Sequence, residues 1–266
     1  MNSKKVLSCA LICASINILN ILAMETKQLI DVKQNPQPSL PLNTETDHFK
    51  LYCMFNDKEA AKKVLDVAEQ NLKKLSEDFK HPYSTKINLY VFPSLQEHHN
   101  AIGWSSAEDW LVNAMFDETH SFFTVSPANP GPQHSAESIL KLNIVGLTEL
   151  FIKDAYKNVP TWFGFGIGLL NADWKSTKTL KELAQDHTKI PTFEQLNSSS
   201  QTSDAQMIRQ NASYSVIEYL NKTKGWDVIR ALLADFSSFE KILGVSQEVF
   251  RNQWIEYLDS TYLDKK

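Results

Sequence analysis

Apolar residues recur at helical spacing from Ser138 to Leu170, and the rest of the chain is organised around this stretch. In its first half the apolar side chains are four, three and four positions apart, at Leu140, Ile144, Leu147 and Phe151. This spacing places them on one face and predicts a helix with a buried side. Pro160 then opens a second apolar segment, as expected of proline in a first helical turn. The stretch therefore predicts two consecutive helices joined by a short loop.

A second stripe runs along the first of these helices. It contains Ser138, Leu142, Val145 and Glu149, so this face has to contact a different part of the molecule. The second helix contains GFGIG at residues 164–168. This segment does not follow a strand and has no P-loop spacing or lysine, so we interpret its glycines as small residues that let helices approach.

Upstream of this stretch, the pattern predicts strands mixed with helices. Residues 49–55 alternate as a half-buried strand, and residues 86–92 are apolar on both faces, as in a central strand. Asn56 is the expected N-cap of a long helix between them. A shorter helix at 94–102 and a further strand at 121–127 complete this half. The long helix has one apolar face, composed of Ala61, Val64, Ala68, Leu72, Leu75 and Phe79.

Downstream, only helices are expected. They are predicted at 176–186, 203–223 and 225–235, followed by a last helix that Ser246 opens. Strands and helices first, and helices alone afterwards, indicate an α+β domain with a helical C-terminal portion.

The N-terminus has the layout of a secretory signal peptide. Lys4 and Lys5 precede an apolar run from Val6 to Ala23, and polar residues follow it. We expect residues 1–23 to be removed and the protein to be secreted or extracytoplasmic. The alternative is an uncleaved N-terminal segment that anchors the chain to a membrane.

The remaining chain divides into a linker and one domain. Residues 24–46 are polar and contain prolines, which predicts an extended linker. The domain is expected at 47–262, with a sheet-containing part at 47–152 and a helical part at 153–262.

Composition and cysteine usage narrow the function classes. The 266 residues carry a net charge of −4, which argues against nucleic acid as a partner. Two of the three cysteines lie in the leader, so Cys53 has no intramolecular disulfide partner after cleavage. Because it lies on the apolar face of the first strand, Cys53 is expected to pack in the core.

The histidines offer few sites for catalysis. His98 and His99 are adjacent, so they do not face the same side of a helix, and we expect a surface or half-buried pair. His120 and His134 are expected to flank the cleft side of the sheet. No G-x-S-x-G nucleophile elbow occurs. One alternative function is that of a hydrolase with a non-standard site, in which Glu149, His120 or His134 takes part.

The pair of helices at 138–170 resembles the active-site helices of gluzincin-type zinc metallopeptidases, in particular the peptidase MA-like family. That family has H-E-x-x-H on the first helix and a P-x-W-x-x-E segment on the second, which here reads PTWFGF. The resemblance extends in order over residues 47–258, including INLYVFPS, ASYSVIEYL and QWIEYL. It implies a zincin-like (thermolysin-like) domain with a small mixed sheet beside the active-site helix.

The resemblance also implies that the chemistry of the family has been replaced. Val145 and Glu149 stand at the two zinc-binding His positions, Gly146 at the general base, and Phe165 at the downstream Glu ligand. A catalytic zinc site needs about three protein ligands. We therefore expect no metal, no cofactor and no catalytic residue.

The resemblance finally implies a binding function for the domain. Leu142 and Tyr214 would line the former cleft, and a peptide or protein would bind there. The function predicted in this way is that of an exported, inactive metallopeptidase relative that serves as a binding or structural module. The alternatives are the relocated hydrolase and a membrane-anchored scaffold.

Overall fold

The computed structural model describes residues 38–263, apart from residue 106 and residues 198–202. The predicted signal peptide and most of the predicted linker lie outside the described residues. The predicted linker extends too far, because Leu42–Glu45 forms a strand at the edge of the sheet.

The sheet has five strands in the order β1-β2-β3-β5-β4. The strands are β1 (Leu42–Glu45), β2 (Phe49–Cys53), β3 (Ile87–Phe92), β4 (Asn113–Phe116) and β5 (Ser121–Val125). The three inner strands, β2, β3 and β5, are parallel, and the edge strands β1 and β4 run antiparallel to their neighbours. The prediction that 86–92 forms a central strand is confirmed. The mixed α+β class is confirmed as well.

The predicted helices occur in the predicted order, together with two short ones, at 193–197 and 239–243, that were not predicted. They are α1 (Lys58–Phe79), α2 (Leu95–Ala101), α3 (Ala136–Ala155), α4 (Thr161–Asn171), α5 (Thr177–Gln185), α6 (Phe193–Asn197), α7 (Ser203–Lys224), α8 (Trp226–Ala234), α9 (Phe239–Leu243) and α10 (Gln247–Tyr262). Pro160 is the residue before α4, and the Ser246 hydroxyl accepts a hydrogen bond from the Val249 N–H at the start of α10. Both helix starts agree with the prediction.

Helix α1 crosses from β2 to β3 and buries the predicted apolar face against the sheet. Cys53 is fully buried, as predicted. The predicted strand is too long, however. It ends at Cys53, and Phe55 begins a short 3-10 turn in which its ring is 80% exposed. Asp57, not Asn56, precedes the helix, and its side chain makes no capping hydrogen bond.

Helix α3 is buried on more than one side. Leu147 and Phe151 are buried as predicted, but Leu140 and Ile144 are only half-buried. Buried residues on its other sides include Ile139, Val145, Leu150 and Ile152. The prediction of one buried face was incomplete because α3 lies between the sheet and α1 on one side and α4 on the other. A helix with neighbours on two sides needs more than one apolar stripe.

The opposite face of the sheet carries a smaller aromatic core. It contains Tyr90, Phe92, Ile102, Phe116 and Phe123. Helix α2 lies on this side, and the ring of His98 is 5.8 Å from that of Phe92. His98 and His99 are 0% and 3% exposed, so the prediction of a surface or half-buried pair was wrong. Along the described part of the chain, none of the helices combines the length and apolar character that a bilayer span requires.

Candidate functional site

Helix α4 is held between α3 and α7 at glycines. A Cβ atom on Gly168 would lie 2.8 Å from the carbonyl oxygen of Val145 on α3. On the other side, a Cβ on Gly166 would lie 2.6 Å from the carbonyl oxygen of Ser213 on α7. Only glycine permits backbones to approach this closely. The prediction that these glycines let helices approach is therefore confirmed at Gly166 and Gly168.

Gly146, the position of the general base in the resemblance, faces the sheet. A Cβ atom there would lie 2.7 Å from the ring of Phe122 on β5, closer than carbon atoms pack. Next to it, the side-chain amide of Asn113 donates a 2.9 Å hydrogen bond to the carbonyl oxygen of Leu142. This bond ties α3 to the edge strand β4. Position 146 therefore has no room for a carboxylate side chain unless Phe122 moves.

Glu149 and Phe165 lie on the same side of the α3–α4 contact. The two helices are antiparallel, since Val145 meets Gly168 and Ile152 meets Gly164. Glu149 is one turn beyond Val145, and Phe165 is one turn before Gly168. Both side chains are half-buried, whereas Val145 is 3% exposed.

This set of residues does not fit a zinc ion. Glu149 supplies carboxylate oxygens, but Val145 and Phe165 have no donor atom, and zinc needs about three protein ligands. Among the residues that the structure describes, no group of three or more His, Cys, Asp or Glu side chains is arranged to hold a metal.

The two predicted cleft-wall residues lie in different parts of the interior. Leu142 is half-buried against the cluster of Val112, Val125 and Ile139 beside β4. Tyr214 is 2% exposed on α7, and its hydroxyl donates to Glu218 at 3.2 Å and accepts from Lys175 at 2.9 Å. The structure therefore does not bring Leu142 and Tyr214 together.

The two histidines proposed for a relocated site are at opposite ends of α3. Nδ1 of His134 is 3.4 Å from the Ser138 hydroxyl at the start of the helix. Nδ1 of His120 is 3.6 Å from Asp154 Oδ2 in its last turn. Because a helix rises about 1.5 Å per residue, Ser138 and Asp154 are about 24 Å apart along it. His120 and His134 cannot act on one substrate atom.

His120 belongs to a polar cluster that the sequence did not reveal. The hydroxyl of Tyr83 donates a 2.6 Å hydrogen bond to the Asp154 carboxylate that His120 faces. Burial, and then this carboxylate, raise the pKa of Tyr83. His120 has a φ angle of 45°, in the left-handed region that favours glycine. The cluster links the starts of β3 and β5 to the end of α3.

Tyr83 also lines an open groove of about 630 Å³ along α1. Its lining includes His81 and His48, and Nδ1 of His48 is 2.7 Å from Glu69 Oε2. Residues of both charge signs alternate along α1 at this groove, including Glu69, Lys73, Glu77 and Lys80. Such alternation is typical of a solvated helix face.

A second buried polar cluster connects α7 to α10. Glu218 is 6% exposed, and its Oε2 accepts a 2.5 Å hydrogen bond from the Tyr262 hydroxyl. Its Oε1 accepts from Tyr214 and is 3.3 Å from Lys222 Nζ. Burial alone would raise the pKa of Glu218, but the nearby Tyr262 and Tyr257 hydroxyls and the Lys222 charge together outweigh it and lower that pKa. All partners are donors, so the cluster stabilises an ionised carboxylate.

A scan against protein-family models finds no match for this chain, and a search of the curated proteins finds none either. The class that can be stated from the fold is a mixed α+β protein with a five-stranded sheet. The likeness to the peptidase MA-like family stays a prediction from the sequence.

Proposed function

We propose that the chain is an exported, catalytically inactive relative of the peptidase MA-like metallopeptidases that binds an extended polypeptide segment. In this proposal the sheet, α3 and α4 form a zincin-like domain, and α3 occupies the place of the active-site helix. The observation that carries the proposal is the close packing at Gly146. The ring of Phe122 on β5 fills the space beside Gly146, the position that the resemblance assigns to the general base.

Catalysis of the family's type is not expected from these residues. Metal and base together supply most of the stabilisation that lets water attack a peptide at neutral pH. Val145 and Gly146 provide neither a ligand nor a base, and Glu149 is a single carboxylate. The former site can contribute apolar contacts and one charge, which suits binding rather than hydrolysis.

The edge strand β4 is where a polypeptide can add to the sheet. Val125 N–H donates to Val112 C=O at 3.0 Å, so residues 112 and 125 form a hydrogen-bonded pair. Antiparallel pairs alternate, and therefore the N–H and C=O groups of Asn113 and Met115 face away from β5. No strand among the described residues pairs with this side of β4. Extended peptides commonly bind such an edge through main-chain hydrogen bonds.

The two edges of the sheet differ in a way that favours β4. Strand β1 has an irregular register between Leu42 and Thr44, whereas β4 pairs with β5 in regular register over its whole length. A bulge is one of the devices that protect an edge from pairing with other chains. β4 is regular, and α3 lies directly beneath it through the Asn113–Leu142 hydrogen bond.

Charges at the ends of β4 indicate the kind of peptide. Glu108 and Asp109 are exposed just before the strand, and Glu118 is exposed just after it. Complementary charges favour the encounter and set the specificity of an interface. A segment with Lys or Arg on both sides of a short β-branched centre therefore suits this edge.

Binding can be tested with a short peptide that has Lys at both ends and Val-Thr-Val in the middle. We expect it to bind, and we expect the same peptide with Glu in place of Lys to bind at least about tenfold more weakly. Methylating alternate backbone nitrogens of the peptide should weaken binding at every second position only. Methylation effects without this period of two would contradict addition to a strand.

Met115→Pro provides the matched test on the protein. It removes an N–H that faces away from β5, so the β4–β5 hydrogen bonds are retained, and proline is tolerated at such edge positions. We expect loss of peptide binding with a far-ultraviolet circular dichroism spectrum like that of the wild type. Unchanged affinity in Met115→Pro would exclude β4 as the binding edge.

The inactive character is tested by elemental analysis of purified protein. We expect no stoichiometric zinc, and we expect chelators to leave the melting temperature unchanged. About one zinc per chain would overturn the proposal that the site is inactive.

A further inference from the structure

Three of the large apolar side chains that are exposed in the described residues meet at one corner of the sheet. Leu42, Met54 and Phe55 are 52%, 43% and 80% exposed. Leu42 pairs with Tyr52 across β1 and β2, and the Pro41 carbonyl oxygen accepts from the Cys53 N–H at 3.3 Å. The start of β1 therefore lies beside the residues that follow β2. We call this group, together with Lys58, the β1–β2 corner.

The corner combines an aromatic ring with a cation. Phe55 lies in a 3-10 turn between β2 and α1, and the Lys58 ammonium is 4.6 Å from the centre of its ring. The carboxylate of Asp57 in the same turn is directed inwards, where it accepts a 2.8 Å hydrogen bond from the Ser126 hydroxyl. The turn therefore presents an aromatic ring and a lysine to the outside. This combination is favourable at the boundary between lipid chains and headgroups.

The position of the corner along the chain indicates what covers it. The described part of the chain begins at Pro38, three residues before Pro41, and the apolar run Val6–Ala23 is separated from Pro38 only by residues 24–37. A segment of this length spans at most about 50 Å when fully extended. When the apolar run is retained and inserted in a bilayer, the chain enters the described domain at Pro38, four residues before Leu42 of this corner.

We propose that the β1–β2 corner contacts a lipid bilayer surface in the chain that retains its N-terminal apolar run. Phe55 and Met54 enter the boundary region, Leu42 covers the side of the contact, and the Lys58 ammonium reaches the headgroup phosphates. The contact orients the domain on the membrane. It is independent of the peptide binding proposed for β4, because it involves neither that strand nor α3.

The test uses the full chain in vesicles, with one reporter at the corner and one elsewhere. Asn56→Cys places a dye next to Phe55 without changing the corner, and Glu248→Cys places the same dye next to exposed Val249 on α10. Cys9 and Cys13 are replaced by Ser in both variants, and Cys53 is fully buried and does not react. The vesicles are phosphatidylcholine, with or without phosphatidylglycerol, and carry a lipid-bound quencher.

We expect several-fold stronger quenching at position 56 than at position 248, and a further increase with phosphatidylglycerol. Phe55→Asp should lower the quenching at 56 to the level seen at 248, whereas Val249→Asp should leave it unchanged. Both substituted side chains are exposed, so both variants should melt like the wild type. Equal quenching at 56 and 248, or quenching at 56 that Phe55→Asp does not lower, would overturn the proposal. If the dye at 56 responds to a higher protein concentration in the absence of lipid, the corner contacts a second copy of the chain and the proposal is overturned.

Discussion

Two buried contacts between helices in this protein are built in opposite ways. Where α3 meets α4, the backbones touch at Gly168, and Ile152 packs against Gly164. Where α7 meets α10, the ionised carboxylate of Glu218 is enclosed by hydroxyl groups and by an ammonium group. The first contact derives its stability from shape, and the second from hydrogen bonds to a charged group.

The comparison shows where a buried charge is retained in this chain. By resemblance to the metallopeptidases, charge and metal would belong on α3, yet α3 is packed there against Phe122 and Gly168. Glu218 keeps its charge because Tyr214, Tyr262 and Lys222 all direct donors towards it. A buried carboxylate without such donors destabilises the folded state. A glutamate at residue 146 would be buried in this way.

The largest expected effect comes from placing that carboxylate on α3. Gly146→Glu has to displace the Phe122 ring and bury a charge without a partner, so we expect a loss of more than about 4 kcal/mol in the free energy of unfolding. Urea denaturation of the variant measures it. Gly164→Ala is the matched control, since its Cβ would lie 3.5 Å from Ile152, an ordinary contact, and alanine favours helices. A loss below about 1 kcal/mol for Gly146→Glu would show that position 146 is open.

The next effect comes from removing the charge at α7–α10. Glu218→Ala leaves the hydroxyls of Tyr214 and Tyr262 without their acceptor, and we expect a loss of about 3 kcal/mol. This is the low end for a buried pair, because the side chain of Lys222 is 55% exposed and can be rehydrated. Glu256→Ala on exposed α10 surface is the control, with a loss below about 0.5 kcal/mol. Equal losses in both variants would mean that Glu218 is not enclosed.

The sequence predicted those parts of the fold that depend on local spacing. The buried face of α1 follows from residues three and four apart, and the start of α4 from Pro160. The close approach of helices at Gly166 and Gly168 was predicted from the glycines of the GFGIG segment. The strand prediction failed at Phe55 because an alternating pattern does not show where a strand stops and a turn begins.

The two polar clusters could not be predicted, for a physical reason. Tyr83 and Asp154 are 71 positions apart, and Glu218 and Tyr262 are 44 apart, so no local period connects them. The burial of His98 was missed as well, because polarity predicts exposure unless the surrounding fold encloses the residue. At the candidate site, the zinc positions inferred from the resemblance stay a prediction, whereas the structure places Leu142 and Tyr214 in different hydrophobic clusters.

The pH dependence of stability distinguishes the hydrogen-bonded Glu218 from His98, a buried polar group without hydrogen-bond partners. Neither ring nitrogen of His98 has a hydrogen-bond partner, and burial lowers its pKa from 6.5 to about 3. Below pH 6.5 the unfolded chain takes up a proton that the folded chain does not, so stability falls as the pH falls. At pH 5 the loss is about 2 kcal/mol, at about 1.4 kcal/mol per pH unit.

His98→Leu removes this term, and its unfolding free energy should change less between pH 7 and pH 5 than that of the wild type. The Glu218 cluster contributes in a different window. Its pKa is lowered, so its stabilisation is present above the ordinary glutamate pKa of 4.5 and is lost only below it. Identical pH profiles of wild type and His98→Leu between pH 7 and pH 5 would show that His98 is hydrated.

The smallest effect separates the hydrogen bonds within the Glu218 cluster. Tyr262→Phe keeps the ring and removes the hydroxyl that donates to Oε2 at 2.5 Å. Hydrogen bonds to charged groups contribute more than neutral ones, and we expect a loss of about 1.5 kcal/mol in the free energy of unfolding. The value is at the lower end because Tyr214 and Lys222 still contact Oε1.

Tyr219→Phe is the matched control for this last effect. Its hydroxyl donates to the neutral amide oxygen of Gln253 at 3.3 Å, so its removal should cost about 0.5 kcal/mol. The two variants should also differ in their response to acid. Losing the Tyr262 hydroxyl raises the folded-state pKa of Glu218 towards its ordinary value. The variant therefore loses less stability than the wild type when the pH falls below 4.5. Tyr219→Phe leaves this acid-dependent loss unchanged. If both variants lose stability equally and have the same acid profile, the ionised state of Glu218 does not depend on Tyr262. The α7–α10 contact would then rest on shape, as the α3–α4 contact does.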